Sequence, residues 1–272
     1  MDAAAINTNL KASHPEIPIA RIVLPPEHGS WSLLLEPLVT GFAIAFSPAV
    51  PWIALMTVGA FFGRQPLKWR VLAGKNSPVA RMAEKCFLLF FLITLVGAIG
   101  VALNAGTWAF FPLAVAAPMA IQQLVLDIST RGRSLIAELA GAVAISSSVA
   151  VMVVAAGLGL PSAIALWVVF ACRFVPSILY VRNRLLLEKG KRAVRTLANV
   201  AHLVALLIVT AFAIIGLASF FTLAVFVFLL IRSLYGLAKA PNGTKAMVIG
   251  IWEVIFGALM VASIVVGYYA GI

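Results

Sequence analysis

Long apolar runs separated by short polar stretches follow one another along most of the chain. Many approach 20 residues, the length of helix that crosses a hydrocarbon core of about 30 Å. The runs do not alternate polar and apolar positions, as the strands of a transmembrane barrel do. The pattern therefore predicts helices, which satisfy their own backbone hydrogen bonds in lipid. We predict nine spans, at residues 31–47, 50–62, 86–103, 107–124, 134–157, 161–180, 198–215, 219–231 and 246–270.

Composition excludes two other classes of protein. The chain is 63% hydrophobic and 11% charged, with a mean hydropathy of +1.09, whereas average soluble domains are about 45–50% apolar and about 25% charged. A soluble globular enzyme is excluded, because so few polar residues cannot cover its surface in water. A disordered protein is excluded as well, because disorder requires low hydrophobicity and many charges. We predict an all-α, polytopic transmembrane bundle over residues 29–272, preceded by a cytoplasmic tail and interfacial segment at 1–28.

The distribution of basic residues predicts the orientation. The formal net charge is +11. With the N-terminus inside, all but Arg173 of the 20 Lys and Arg residues fall in segments on that side, Arg232 being assigned to the loop after the eighth span. Basic loops favour the cytoplasm. We therefore expect a multi-pass protein of the cell (inner) membrane, with its N-terminus cytoplasmic and its C-terminus extracytoplasmic. No motif suggests a nucleic-acid partner.

Five ionisable residues fall within the predicted spans, all in the half nearer the cytoplasm. Charges at such depth are costly, and they usually mark a cavity or an ion pair. We predict one polar cavity open to the cytoplasm, with Arg173 paired to a carboxylate. The alternative is that each group reaches the interface or forms a private hydrogen bond. These residues are Glu36, Glu138, Arg173, His202 and Glu253.

A short similarity between spans 1 and 5 suggests an internal repeat. Ser32 precedes Glu36 by four residues, and Ser134 precedes Glu138 by the same spacing. Residues at this spacing share one face of a helix. Two parallel copies of four helices and one extra helix would give a 4+4+1 bundle, although a match of so few residues also arises by chance.

The segment Leu24-Pro25-Pro26-Glu27-His28-Gly29-Ser30-Trp31, with Pro37 and Gly41 after it, resembles the opening of the YwiC-like family of bacterial membrane proteins. The Arg64-Gln65-Pro66-Leu67 stretch and the Arg182-Asn183-Arg184 stretch are similar to basic stretches of that family. The resemblance covers roughly residues 24–237. It implies a membrane protein and supplies no reaction.

Nine helices with functional loops after spans 2 and 6 are more distantly similar to the UbiA-type prenyltransferase architecture. That resemblance implies two four-helix halves plus one helix, with Asp-rich motifs on the two loops that hold Mg²⁺ and a prenyl diphosphate. In this chain the two loops contain only Glu84 and Glu188 as acids. The resemblance therefore supports the scaffold and not a Mg²⁺-dependent transfer.

Basic residues stand where that architecture has carboxylates. Arg and Lys bind phosphate and carboxylate directly, Arg in bidentate fashion. We predict a cytoplasm-facing pocket that binds an anionic amphiphile, with its head group on the basic loops and its tail between apolar spans. Membrane lipids are the other expected partners. The predicted ligand-binding residues are His28, Glu36, Arg64, Lys68, Glu138, Arg173, Arg182 and Arg184.

Other interpretations remain open at this point. The basic residues alternatively only set orientation and attract anionic lipid in bulk, and His28 alternatively has an interfacial structural role. Two alternative functions are transport of a small anion or metabolite, and a structural role as a subunit of a membrane complex. We predict no cofactor and no metal, because the three His residues lack ligand spacing. No catalytic residue is predicted, and whether chemistry occurs stays open.

Overall fold

The computed structural model describes residues 18–24, 29–73, 77–129, 134–241 and 243–271. These residues form ten α-helices, and a 3₁₀ turn at Thr107–Phe110 leads into the fifth. The helices are α1 (Ile19–Val23), α2 (Ser30–Ile44), α3 (Val50–Leu72), α4 (Pro78–Ala105), α5 (Phe111–Ser129), α6 (Leu135–Ala155), α7 (Leu160–Glu188), α8 (Arg195–Ile214), α9 (Phe220–Ala238) and α10 (Ala246–Ala270). The predicted all-α class is confirmed.

Helices α2–α10 coincide in order with the nine predicted spans. Seven of them, α4–α10 with the 3₁₀ turn joined to α5, are long and apolar enough to cross a membrane. The apolar part of α2 is shorter, at Trp31–Ile44, and α3 carries basic residues in its last turns. The described residues thus form a multi-pass helical bundle, as the hydropathy pattern predicts.

Several helices extend beyond the predicted spans. Helix α3 ends at Leu72 and α7 at Glu188, instead of at residues 62 and 180. The predicted placement of Arg64, Lys68, Arg182 and Arg184 on loops is therefore wrong, because all four lie on helices. The physical reason is that Arg and Lys are good helix formers. A helix can continue past the hydrocarbon with its charged ends in the interface.

Side-chain caps fix where two helices begin. Ser77 accepts a hydrogen bond from the Ala80 N–H at 3.0 Å, just ahead of α4. Ser at the N-cap followed by Pro at the first helical position is a favoured start for a helix. Ser219 accepts from the Thr222 N–H at 3.1 Å at the start of α9. Both caps satisfy backbone donors that the first turn of a helix leaves without partners.

Helix α6 occupies the middle of the bundle. Of its most apolar stretch, 72% is buried, compared with 17% for α4. It packs against α2, α3, α5 and α7. Small residues allow this close approach. Ser146, Ser147 and Ser148 are all buried, and the first two donate to the carbonyls of Val143 and Ala144. Short, buried side chains whose hydroxyls bond to their own helix suit this close packing.

Successive helices α2–α10 are joined by short connections and run in alternating directions. The connections therefore lie at two opposite ends of the bundle. We call the end at which α3, α5, α7 and α9 finish the basic end, because it carries Arg64, Lys68, Arg182 and Arg184. The short helix α1 also packs there: Ile22 is buried, and the Trp69 indole donates to the Arg21 carbonyl at 3.2 Å. Of the predicted N-terminal segment 1–28, only residues 18–24 are among those described.

Candidate functional site

Four charged side chains from four helices meet inside the bundle. The Arg173 guanidinium lies 3.5 Å from Glu36 Oε1 and 3.3 Å from Glu253 Oε2. Glu253 Oε1 in turn accepts from Arg232 Nη1 at 2.6 Å. Glu253 therefore joins two arginines, and α2, α7, α9 and α10 are linked by one network. We call these four residues the ionic cluster.

The ionic cluster is closed to the outside. The side chains of Arg173 and Glu36 are 2% and 5% exposed, and those of Arg232 and Glu253 are 11% and 10% exposed. At ~1.5 Å per residue, Glu253 lies about 10 Å beyond the start of α10. Two arginines and two glutamates leave no net charge, which limits the cost of burying ions in a low dielectric. The predicted pairing of Arg173 with a carboxylate is confirmed.

Neighbouring hydroxyls add hydrogen bonds to Glu36 and Arg173, although Glu36 Oε2 and Arg173 Nε have no partner among the described residues. Ser32 Oγ donates to Glu36 Oε1 at 2.5 Å, one turn earlier on α2. Arg173 donates to Ser177 Oγ at 2.5 Å and to the Glu253 carbonyl at 3.1 Å. A Cβ at Gly257 would lie 2.2 Å from Glu36 Oε1. The absence of a side chain at Gly257 therefore lets α10 approach α2 closely enough for the cluster to form.

Aromatic rings hold the Arg232 end of the ionic cluster. The guanidinium carbon of Arg232 lies 4.1 Å from the centre of the Tyr180 ring and 4.5 Å from that of Phe256. Cation–π contacts of this kind stabilise a guanidinium that has lost its hydration. The His202 ring meets the Tyr180 ring edge-on, with their centres 6.5 Å apart. Tyr180 and His202 thus border the cluster on α7 and α8.

Glu138 does not belong to the ionic cluster. It pairs with Arg182 at 3.1 Å, and both side chains are about one-third exposed. Ser134 caps the start of α6 by accepting from the Ala137 N–H at 3.5 Å. The two serines of the predicted repeat therefore have different partners despite their shared spacing. Ser32 donates to its glutamate, whereas Ser134 accepts from the backbone.

The basic side chains at the basic end differ in how firmly they are held. Arg184 is buried, pairs with Glu188 and donates to the Gly236 and Lys239 carbonyls at 2.9 and 3.0 Å. Arg64 forms a long, partly exposed contact of 3.6 Å with Asp127. Lys68 is partly buried one turn beyond Arg64. Arg184 is thus a structural link between α7 and α9, whereas Arg64 and Arg182 form partly exposed ion pairs.

Sequence reasoning misplaced Arg232. The apolar run of the eighth span stops at residue 231, but α9 continues to Ala238, so Arg232 lies within the helix rather than on a loop. A signal was present in Glu253, an acid inside a predicted span that requires a cationic partner. The predicted site residue His28 lies outside the described residues.

Two cavities lie at the end of the bundle remote from the basic end. The larger has a volume of about 360 Å³ and is bordered by the α8–α9 turn and the end of α10, with Ser219 and Thr222 among its polar residues. The second, of about 320 Å³, is lined by apolar side chains such as Leu160 and Phe212.

Buried Phe170 and Met260 belong to the apolar core of the bundle.

The residues of the basic end do not fit a Mg²⁺-bound diphosphate. Mg²⁺ requires oxygen ligands, usually carboxylates, whereas Arg64, Lys68, Arg182 and Arg184 are cationic. Within the described ranges, no group of three or more His, Cys, Asp or Glu side chains lies together as a metal site would need. The described residues therefore contain no set that matches the Mg²⁺ role implied by the UbiA resemblance.

Comparisons with known proteins agree with this architecture. The family model described as YwiC-like protein matches residues 24–154, and no curated protein matches the chain. Among solved structures, the chain is similar to a digeranylgeranylglyceryl phosphate synthase, a UbiA-type prenyltransferase. The TM-score is 0.61 at 11% identity, over 93% of this chain and 98% of that one. The chain is therefore a multi-pass membrane protein that has a UbiA-like helical fold and matches the YwiC-like family over residues 24–154.

Proposed function

We propose that the protein binds an anionic amphiphile at the basic end, which faces the cytoplasm from the cell (inner) membrane. The observation that carries this proposal is the pair of partly exposed arginines, Arg64 on α3 and Arg182 on α7. Each arginine pairs with a carboxylate on a neighbouring helix, Asp127 or Glu138. Lys68, one turn beyond Arg64, adds a third cation.

The weakness of these ion pairs supports ligand binding. Partly exposed ion pairs contribute about 0–1 kcal/mol, so exchanging a carboxylate partner for a phosphate costs little. An Arg–phosphate contact is charge-assisted and can be bidentate. Arg184 has a different role, since it is committed to two carbonyls and Glu188. In this proposal Arg64, Lys68 and Arg182 hold the head group, and Arg184 keeps α7 and α9 together.

The lower part of α5 exposes apolar side chains to the lipid, among them Val125 and Ile121, which are 56% and 60% exposed. The hydrocarbon tail of a bound amphiphile would extend along apolar helix surface of this kind, within the lipid. The similar solved structure is named for a phosphate-bearing glyceryl lipid. That name supports an amphiphile of the same general class without specifying this one.

Transport of a small anion or metabolite is the alternative. A transporter needs a polar path between the two ends. Phe170 and Met260 are completely buried in the apolar core, on the two helices that carry Arg173 and Glu253. The two arginines and two glutamates of the ionic cluster also cancel in charge. An ionised anion crossing the bundle would therefore meet no net positive charge at that depth. These features favour binding from one side over transport.

Neutralising the two arginines tests the proposal. In nanodiscs of phosphatidylcholine, we expect Arg64→Gln with Arg182→Gln to weaken binding of a fluorescent phosphatidic acid by at least about tenfold, because charge-assisted contacts are lost. A diacylglycerol with the same label and tails, lacking the phosphate, should bind weakly to both proteins. The measurement is a saturation titration at fixed ionic strength.

The matched control removes the same charge elsewhere. Lys191 and Arg195 are exposed in and after the α7–α8 turn, and Lys191→Gln with Arg195→Gln should leave the affinity within about twofold. If both double variants weaken binding equally, the basic residues act only as a diffuse field. If neither variant does, the arginines do not hold the head group, and either result overturns the proposal.

A further inference from the structure

The Arg232 guanidinium presents one edge to the interior without a partner. Nη1 is engaged by Glu253 at 2.6 Å. Nε and Nη2 are buried, and neither has a hydrogen-bond partner among the described residues. The guanidinium carbon lies over the rings of Tyr180 and Phe256. The free edge therefore carries two parallel N–H donors, the geometry with which arginine binds a carboxyl group.

The His202 imidazole, which also borders Tyr180, supplies a buried hydrogen-bond acceptor. His202 is 3% exposed, and its Nδ1 lies 2.8 Å from the Ala198 carbonyl. A carbonyl only accepts, so Nδ1 carries the proton and Nε2 has a free lone pair. Nε2 is buried, and within the described part of the chain it has no partner. Tyr180 contacts both residues, so His202 and Arg232 border the same ring.

Unpartnered buried polar atoms are rare in folded proteins and call for a physical explanation. Here three of them, Arg232 Nε, Arg232 Nη2 and His202 Nε2, lie on two side chains that border the same tyrosine ring. We infer that Arg232 and His202 form a second binding site, inside the bilayer, for the carboxyl group of a fatty-acid-like amphiphile. This site is independent of the proposed head-group site, because it uses none of Arg64, Lys68 and Arg182.

The chemistry accounts for both side chains. The carboxyl group enters from the lipid as the neutral acid, so no net charge crosses into the low dielectric. Its two oxygens accept from the Nε–H and Nη2–H of Arg232. Its proton passes from the carboxyl oxygen to Nε2 of His202, which leaves a carboxylate on the arginine and an imidazolium beside it. The site as a whole gains no net charge.

Access from the lipid is provided by the surface of α9 and α10. Phe228 and Trp252 are each 52% exposed, and both pack against Phe256, with ring centres 5.7 and 5.9 Å away. Phe256 in turn covers the Arg232 guanidinium. These aromatic side chains form a continuous apolar surface from the lipid to the guanidinium, along which a hydrocarbon tail would lie.

Oleic acid carrying ¹³C in its carboxyl group is the probe, titrated by NMR into the protein in phosphatidylcholine nanodiscs. We expect one saturable site with a shifted carboxyl resonance, and no such site for methyl oleate, which has no acidic proton. Arg232→Lys keeps a cation for Glu253 but lacks the paired donors, and it should weaken binding at least about tenfold. His202→Phe, which removes the acceptor, should weaken binding by a similar factor.

Three results would overturn the inference. The first is wild-type protein with no saturable binding beyond partition into the bilayer, which leaves water as the occupant. The second is unchanged affinity in His202→Phe, the variant that decides the matter if Arg232→Lys does not fold, as judged by thermal unfolding. The third is a loss of oleate affinity in Arg64→Gln with Arg182→Gln as large as that in Arg232→Lys. That result would show that oleate binds at the basic end, and the proposal for that end would still stand.

Discussion

Replacing Glu253 with glutamine will lower the free energy of unfolding by about 3–5 kcal/mol, the range for removing one partner of a buried ion pair. Glu253 contacts both Arg173 and Arg232. A guanidinium does not lose its proton in proteins, so Glu253→Gln leaves two buried cations facing Glu36 alone. Denaturant or thermal unfolding of the purified protein in detergent measures the loss.

The control for this experiment is Glu84→Gln. Glu84 pairs with Arg70 at 3.0 Å, but the two side chains are 50% and 35% exposed. Exposed pairs contribute about 0–1 kcal/mol, so the control should unfold almost as the wild type does. Equal effects of Glu253→Gln and Glu84→Gln would mean that the ionic cluster does not hold the four helices together.

Adding a single methyl group at Gly97 will cost about 1–3 kcal/mol, the range for overpacked interiors. A Cβ at this position would lie 2.5 Å from the Met56 backbone nitrogen and 2.8 Å from its Cα. Backbone atoms have no rotamer to adopt, so Gly97→Ala must push α4 away from α3. The change is measured as a lower unfolding midpoint in detergent.

Gly63→Ala on the same pair of helices is the matched control. Its Cβ would meet only Phe90 Cβ, at 3.4 Å, and alanine is a better helix former than glycine by about 1 kcal/mol. This variant should be neutral or slightly stabilising. A loss as large as that of Gly97→Ala would contradict the close approach of α3 and α4 at Gly97.

The sequence predicts the helices well because burial in lipid imposes one constraint on every span. Each backbone must bond internally, so apolar length alone locates α2–α10. The ends are predicted less well, because hydropathy falls at the first charge whereas the helix continues. Arg64 and Arg182 consequently lie on helices instead of loops, and Arg232 lies inside α9.

The candidate site was predictable only as a set of buried charges. Glu36, Arg173 and Glu253 stand out because ions at that depth are costly. Their mutual pairing depends on how α2, α7 and α10 pack, which no local pattern encodes. Glu36 and Glu138 have the same spacing from a serine, yet the first joins the ionic cluster and the second pairs with Arg182.

One premise underlies the proposed head-group site, namely that the basic ends of α3 and α7 face the same aqueous compartment. Cysteine labelling tests it after the free cysteines Cys86 and Cys172 are replaced by alanine. Lys68→Cys, Lys191→Cys and, at the opposite end, Leu158→Cys are treated with an impermeant maleimide in right-side-out and inverted vesicles. We predict that the first two react only in inverted vesicles and the third only in right-side-out vesicles. Labelling of Lys68→Cys and Lys191→Cys from opposite sides would contradict the account.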